Sequence, residues 1–150
     1  STLRWNLREA RTDKKLEEIV LKSIAAFSNG EGGTLLIGVS DNEEILGLEN
    51  DYDTLQKPDK DGFELHLRQL ISNAYGTSFT TTNLNIRFPL IGDAEICKIQ
   101  VMRGNEPLST MISVENAPKK KVFYLRSGNS SQRIDDIDEL NKYVSDRFSI

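Results

Sequence analysis

The stretch from Leu16 to Ser40 constrains the fold most. Leu16, Ile19, Val20, Ile24 and Phe27 recur at steps of three and four, which places them on one face of a helix over Leu16–Ser28. Asp13 stands where an N-cap is needed, and Asn29-Gly30 where a helix stops. Glu17 and Glu18 fall in the first turn, where the helix dipole favours acids. Gly30-Glu31-Gly32-Gly33 then turns the chain into Thr34–Ser40, TLLIGVS, an apolar run expected to be a strand buried on both faces. This order is not that of a phosphate loop, which runs strand, glycines, Lys-Ser/Thr, helix, so that helix amides face the phosphates. No lysine follows these glycines, so they read as a tight helix-to-strand connection and give ATPase chemistry no support.

The remaining elements follow from period and punctuation. Residues 2–7 predict a short strand with Trp5 as its apolar anchor, followed by a polar, mobile loop. Asp41–Glu44 turns the chain into a return strand at Ile45–Leu48. Phe63, Leu67, Leu70, Ile71 and Ala74 predict a second helix over Gly62–Tyr75, closed by Gly76. From Thr80 the period becomes two, and Leu84, Ile86 and Phe88 with Glu95–Met102 predict a β-hairpin turning at Gly92-Asp93. Leu108–Ala117 reads as an edge strand and loop, and Val122–Arg126 as the last strand. Ser127–Gln132 reads as a flexible connection, and Asp136–Phe148 as a final helix with a capping-box-like start at Asp136 and Glu139. The chain of 150 residues is the size of one domain. We expect an α+β fold, a single domain over 1–150 with a mixed β-sheet and about three helices packed on it. The start at Ser1 leads us to expect a piece of a longer protein, with other domains among its partners.

No apolar run approaches the roughly 18 residues of a membrane span, and the N-terminus lacks the apolar core of a secretory signal. With Cys97 the one cysteine, no internal disulfide forms, and a cytoplasmic location is the expectation. Cys97, in an apolar strand, reads as a core residue, and His66, off the apolar stripe of its helix, as a boundary residue. No His/Cys metal cluster is available, so no cofactor is expected.

The net charge of −4 argues against a general nucleic-acid binder, but the charge is segregated. Residues 117–134 hold Lys119, Lys120, Lys121, Arg126 and Arg133 and no acid. Residues 1–15 hold Arg4, Arg8, Arg11, Lys14 and Lys15 against Glu9 and Asp13. Residues 41–64 hold nine acids against Lys57 and Lys60. Two basic stretches that met in space would form a basic face opposite an acidic one. Within VFYLRSGNSSQR, alternation puts Tyr124 and Arg126 on one face of a strand. Arg126 suits a phosphate, with Tyr124 beside it to stack or hydrogen-bond. Ser127, Asn129, Ser130 and Ser131 offer further donors, Gly128 an anion-holding turn, and Arg133 a second cation. Asp41, Glu43 and Glu44, just past a buried strand, are candidate Mg²⁺ or Mn²⁺ ligands, with Glu9 able to approach; acids are also ordinary turn residues.

The blocks LKSIAAFSNGEGGTLLIGVSDNEEILGLEND and VFYLRSGNSSQRI together resemble the Schlafen AlbA-like domain family over roughly residues 15–134. The resemblance implies a DNA-binding or RNA-binding module, as found in bacterial transcriptional regulators, with Arg126–Ser131 matching the family's arginine–serine motif and Asp41 its acidic turn. Similar Schlafen members cut structured RNA with three carboxylates. Two of those acids belong to a Glu-x-x-x-x-Glu-Phe-Lys-like stretch ahead of the first helix, which this sequence lacks, so only Asp41 of that site is present. The expected contacts to nucleic acid are Lys119, Lys120, Lys121, Tyr124, Arg126, Ser127, Asn129, Ser130, Ser131 and Arg133, with Arg4 and Arg8 from the N-terminal segment. A partial metal-dependent nuclease using Asp41, with Mg²⁺ or Mn²⁺, and a homodimerising module through the Leu108–Ala117 edge are the alternatives. No membrane partner is expected.

Overall fold

The computed structural model describes residues 2–148. The chain opens with a minimal ribbon, β1 (Trp5–Asn6) against β2 (Arg11–Thr12), in place of the expected mobile loop. Its anchor is Leu3, which is fully buried, while Trp5 is only half-buried. Asp51 explains this: its carboxylate, itself buried, accepts the backbone N–H groups of Leu3 (2.8 Å), Arg4 (2.9 Å) and Trp5 (2.9 Å). Three donors on one carboxylate fix the entry of the chain and carry Leu3 into the core.

Helix α1 (Lys14–Asn29) begins where Asp13 accepts from the Lys15 N–H over 3.0 Å. That hydrogen bond, above all, holds the Asp13 carboxyl below the ordinary carboxylate range. Val20, Leu21 and Ile24 are buried, whereas Ile19, expected on the apolar stripe, is 43% exposed. The shift arises because α1 touches two sheets at once rather than one.

The first of these sheets has the order β3 (Gly33–Ile37), β7 (Cys97–Val101), β4 (Leu84–Arg87) and is antiparallel throughout. Its register places Leu35, Ile99 and Ile86 in one row and Thr34, Gln100 and Asn85 in the next. The first row joins the main core with Ile24, Ile37, Phe63, Leu67 and Ile71. The second is half or fully exposed, as is Leu36, so β3 is not buried on both faces as its composition implied. The sheet packs on helices over one face and leaves the other open. Cys97 is fully buried in this core, and burial pushes its thiol up to about 12.

Between β3 and β7 lie the short α2 (Glu49–Tyr52), then α3 (Lys60–Tyr75), capped by Asp59 and stopped by Gly76, and then α4 (Thr77–Thr82). Ile45–Leu48 forms no strand; a single Val39–Ile45 bridge stands in its place. The small β5 (Leu90–Ile91) and β6 (Ala94–Glu95) ribbon extends the β4–β7 hairpin.

The second sheet has the order β10 (Ser130–Arg133), β9 (Ala117–Ser127), β8 (Ser109–Val114). Every strand pair assigned among the described residues is antiparallel. The stretch expected to be a flexible connection after Arg126 is in fact a hairpin: Ser130 pairs with Ser127 and Arg133 with Tyr124. Gly128, at φ +59, supplies the positive dihedral at the first turn position. Helix α5 (Ile137–Phe148) closes the fold, its start bonded from the Glu139 N–H to Asp136 over 2.9 Å. No helix among the described residues is long and apolar enough to cross a membrane.

Candidate nucleic-acid interface

The two sequence blocks singled out above meet in space. Asn29, fully buried at the end of α1, donates to the carbonyls of Leu108 (2.9 Å) and Tyr124 (2.8 Å) and accepts from the Leu108 N–H (2.9 Å). From the other side, Arg147 donates to the carbonyls of Gly30 (2.7 Å) and Gly104 (3.0 Å), and the Tyr143 hydroxyl to that of Asn29 (2.8 Å). The orphan carbonyls at the α1 terminus are thereby satisfied by α5. The glycines of the turn serve packing. A Cβ on Gly32 would sit 2.6 Å from the Val101 carbonyl oxygen, and one on Gly33 2.2 Å from the Phe27 ring. The Phe27 ring packs closely against Gly33 and carries the Arg126 guanidinium over it, 4.8 Å from the centroid.

Arg126 therefore stands on an aromatic platform at the α1–β9 junction and makes no ion pair among the described residues. Tyr124 does share its face, but that face packs on α1. Tyr124 is buried against Ala26 and Val122, so its ring is covered rather than free to stack beside Arg126 as expected from the sequence. What covers it is Lys22, whose Nζ lies 5.6 Å from the ring centroid. Lys22 was missed in the sequence because it stands alone among apolar residues of α1. The signal available was its helical spacing from Lys15, two turns earlier.

The lysine run divides across β9. Lys119 lines a groove of about 480 Å³ between α1, α3 and β8, where Lys14 also stands. Lys120 and Lys121 line a shallower groove of about 290 Å³ beside the start of α5, together with Asp135. All three are exposed and free of ion pairs among the described residues. Lys14 and Lys119 thus bring the two basic stretches together, in a groove that also contains Glu17 and Glu18. Both acids are engaged locally. Glu18 accepts from the Ser113 N–H (2.9 Å) and hydroxyl (2.5 Å), which also covers part of the β8 edge. Glu17 contacts His66 Nε2 (2.5 Å) and Arg4 Nε (3.8 Å).

Arg4 is not a surface cation. It is mostly buried, faces Glu17 and donates to the Thr54 carbonyl over 3.3 Å, which removes it from any exposed interface. Arg11 is paired with Glu9 and lies 4.0 Å from Asp13, so Glu9 is directed to its own hairpin. Arg8 is exposed and unpaired among the described residues, on the same small hairpin. Arg133 sits 3.3 Å from Asp135, which offsets part of its charge. Ser127 and Asn129 are exposed, Ser130 and Ser131 half-buried, and Ser130 holds the turn by donating to the Ser127 carbonyl over 3.4 Å. Asp41 is exposed beside Thr2, Trp5 and Leu46. No group of three His, Cys, Asp or Glu that could hold a metal occurs among the described residues.

The result is an α+β domain in which one helix end, a glycine turn and a basic hairpin are bonded into a single unit. The model of the family "Schlafen, AlbA_2" matches residues 3–135, and the chain belongs to that family. No curated protein matches the chain. Among solved structures, the DIP2311 protein from Corynebacterium diphtheriae is similar over 91% of this chain, with a TM-score of 0.61 and 19% identity, which shows a shared fold. The chain spans 23% of that protein's length.

Proposed function

We propose that this domain binds nucleic acid through contacts to the phosphate backbone, with DNA the preferred partner, in the manner of a module within a regulator. The observation that carries the reading is Arg126, held on Phe27 without a carboxylate partner at one end of β9, with Lys119 unpaired at the other. The strand rise puts these ends roughly 20 Å apart, the length of about six phosphates along one strand. Lys22 and Lys14 on α1 flank that line, and the hairpin hydroxyls and amides of Ser127 and Asn129 extend it. Such donors position a backbone without reading its sequence. The net charge of −4 makes the expected affinity weak and strongly dependent on salt.

Fluorescence anisotropy with labelled DNA and RNA oligonucleotides, repeated across a salt series, tests this. Lys22→Ala with Arg126→Ala should lower affinity and flatten the salt slope by about two ions. Arg11→Ala, whose charge is already paired, should change neither. Equal affinity and slope in wild type and the double variant would overturn the reading.

A further inference from the structure

On the acidic side of the molecule three bulky aliphatic side chains stand uncovered. Ile45 is 40% exposed, Ile91 45% and Leu90 66%. Ile45 and Ile91 border a groove of about 500 Å³ between the Ile45–Tyr52 segment and the β5–β6 ribbon, with Leu90 next to it on the ribbon. Glu49, Asp93 and Glu95 line the same groove, and no Lys or Arg does. None of these three acids makes an ion pair among the described residues. Tyr52 donates to Glu95 Oε1 over 3.1 Å, which fixes that carboxylate at the wall.

Apolar side chains grouped around a concave surface and rimmed by charge mark a contact site. The sign of the rim selects the occupant. A polyanion is repelled by unpaired carboxylates, and a purely cationic chain leaves the aliphatics in water. We propose that this groove docks a segment of a partner protein in which Lys or Arg flanks bulky aliphatic residues. The longest basic run of a second copy of this chain does not present such aliphatics. That run, Lys119–Lys121, adjoins Val122 and Phe123, and both are buried within the fold.

Three labelled synthetic peptides test the proposal by anisotropy: one of Lys and Leu at helical spacing, one of Lys and Ser, and one of Glu and Leu. The Lys–Leu peptide should bind about tenfold more tightly than either of the others. Ile45→Ser with Ile91→Ser should weaken it by about tenfold, and since both side chains are exposed the fold should survive, as circular dichroism would report. Arg126→Ala should leave peptide binding unchanged, which separates this groove from the phosphate-binding surface. Equal binding of the Lys–Ser peptide, no binding of the Lys–Leu peptide, or indifference to the double serine variant would each overturn the proposal. So would a dimer in light scattering that the double serine variant abolishes, since a second copy would then fill the groove.

Discussion

Asn29 and Tyr124 lie 95 positions apart and are joined by a 2.8 Å hydrogen bond from the Asn29 side-chain amide to the Tyr124 carbonyl. The same side chain spans to Leu108 in both directions, donating to its carbonyl and accepting from its N–H. Asn29 thus does for α1, β8 and β9 what no single strand pairing does. Asn29→Ala would strand a buried N–H and two carbonyls. A loss of about 2–3 kcal/mol in urea unfolding is the expected result. A loss below about half a kcal/mol would mean that water replaces the amide.

What could be read from the sequence followed from periodicity. Helices α1, α3 and α5 and the β4–β7 hairpin stand close to their expected spans, because each carries a sustained period of 3.6 or two. Helix α4 was hidden in TSFTTT, a β-branched run with poor helix propensity. Its threonines bond back to the carbonyls four residues before, Thr80 to Gly76 and Thr81 to Thr77, and Ser72 bonds Thr80 from α3. The β9–β10 hairpin was hidden because SSQR shows no apolar alternation; its pairing is set by β9 and Gly128. At the candidate interface, alternation put Tyr124 and Arg126 on one face but carried no information on what covers it. Likewise, nothing in the local sequence of Arg4 announces Glu17, which approaches it from α1.

Asp51 offers a second stability test with a local readout. Its carboxylate holds three consecutive backbone N–H groups at the start of the chain. Asp51→Asn replaces one acceptor oxygen with a donor that faces those amides. A loss of about 2–3 kcal/mol is expected. Amide exchange at Leu3, Arg4 and Trp5 should accelerate before that of β7, since the N-terminal segment would release first. Uniform acceleration across the domain would show instead that this segment unfolds only with the core.

The thiol of Cys97 and the phenol of Tyr75 are both pushed up to about 12 by burial. A raised folded-state value means the neutral form is favoured in the native protein. The stability linked to each group is complete below its unfolded value, near 9 for the thiol and 10 for the phenol, and is lost as pH rises toward 12. A thiol reagent at pH 8 should leave Cys97 unmodified in the native protein and label it at once in denaturant. Urea midpoints should fall between pH 9 and 11, less steeply for Cys97→Ala measured against its own neutral value. Rapid labelling of the native protein at pH 8 would contradict the burial of this side chain.

The glycine turn and the proposed phosphate-binding surface are mechanically linked through one ring. Phe27 fits against Gly33 so closely that a Cβ there would lie 2.2 Å from its Cδ1, and the same ring carries Arg126. Gly33→Ala must therefore displace Phe27, at a cost of about 1–3 kcal/mol, and with it the guanidinium. Phe27→Leu keeps apolar volume but removes the aromatic face, so it should spare more stability while releasing Arg126 from its platform. Both variants should weaken oligonucleotide binding at low salt. In the Arg126→Ala background neither should weaken it further, because the ring acts on binding through that one cation. An undiminished effect of Gly33→Ala in that background would place the contribution of the turn elsewhere, in the backbone of β3 rather than in the pose of Arg126.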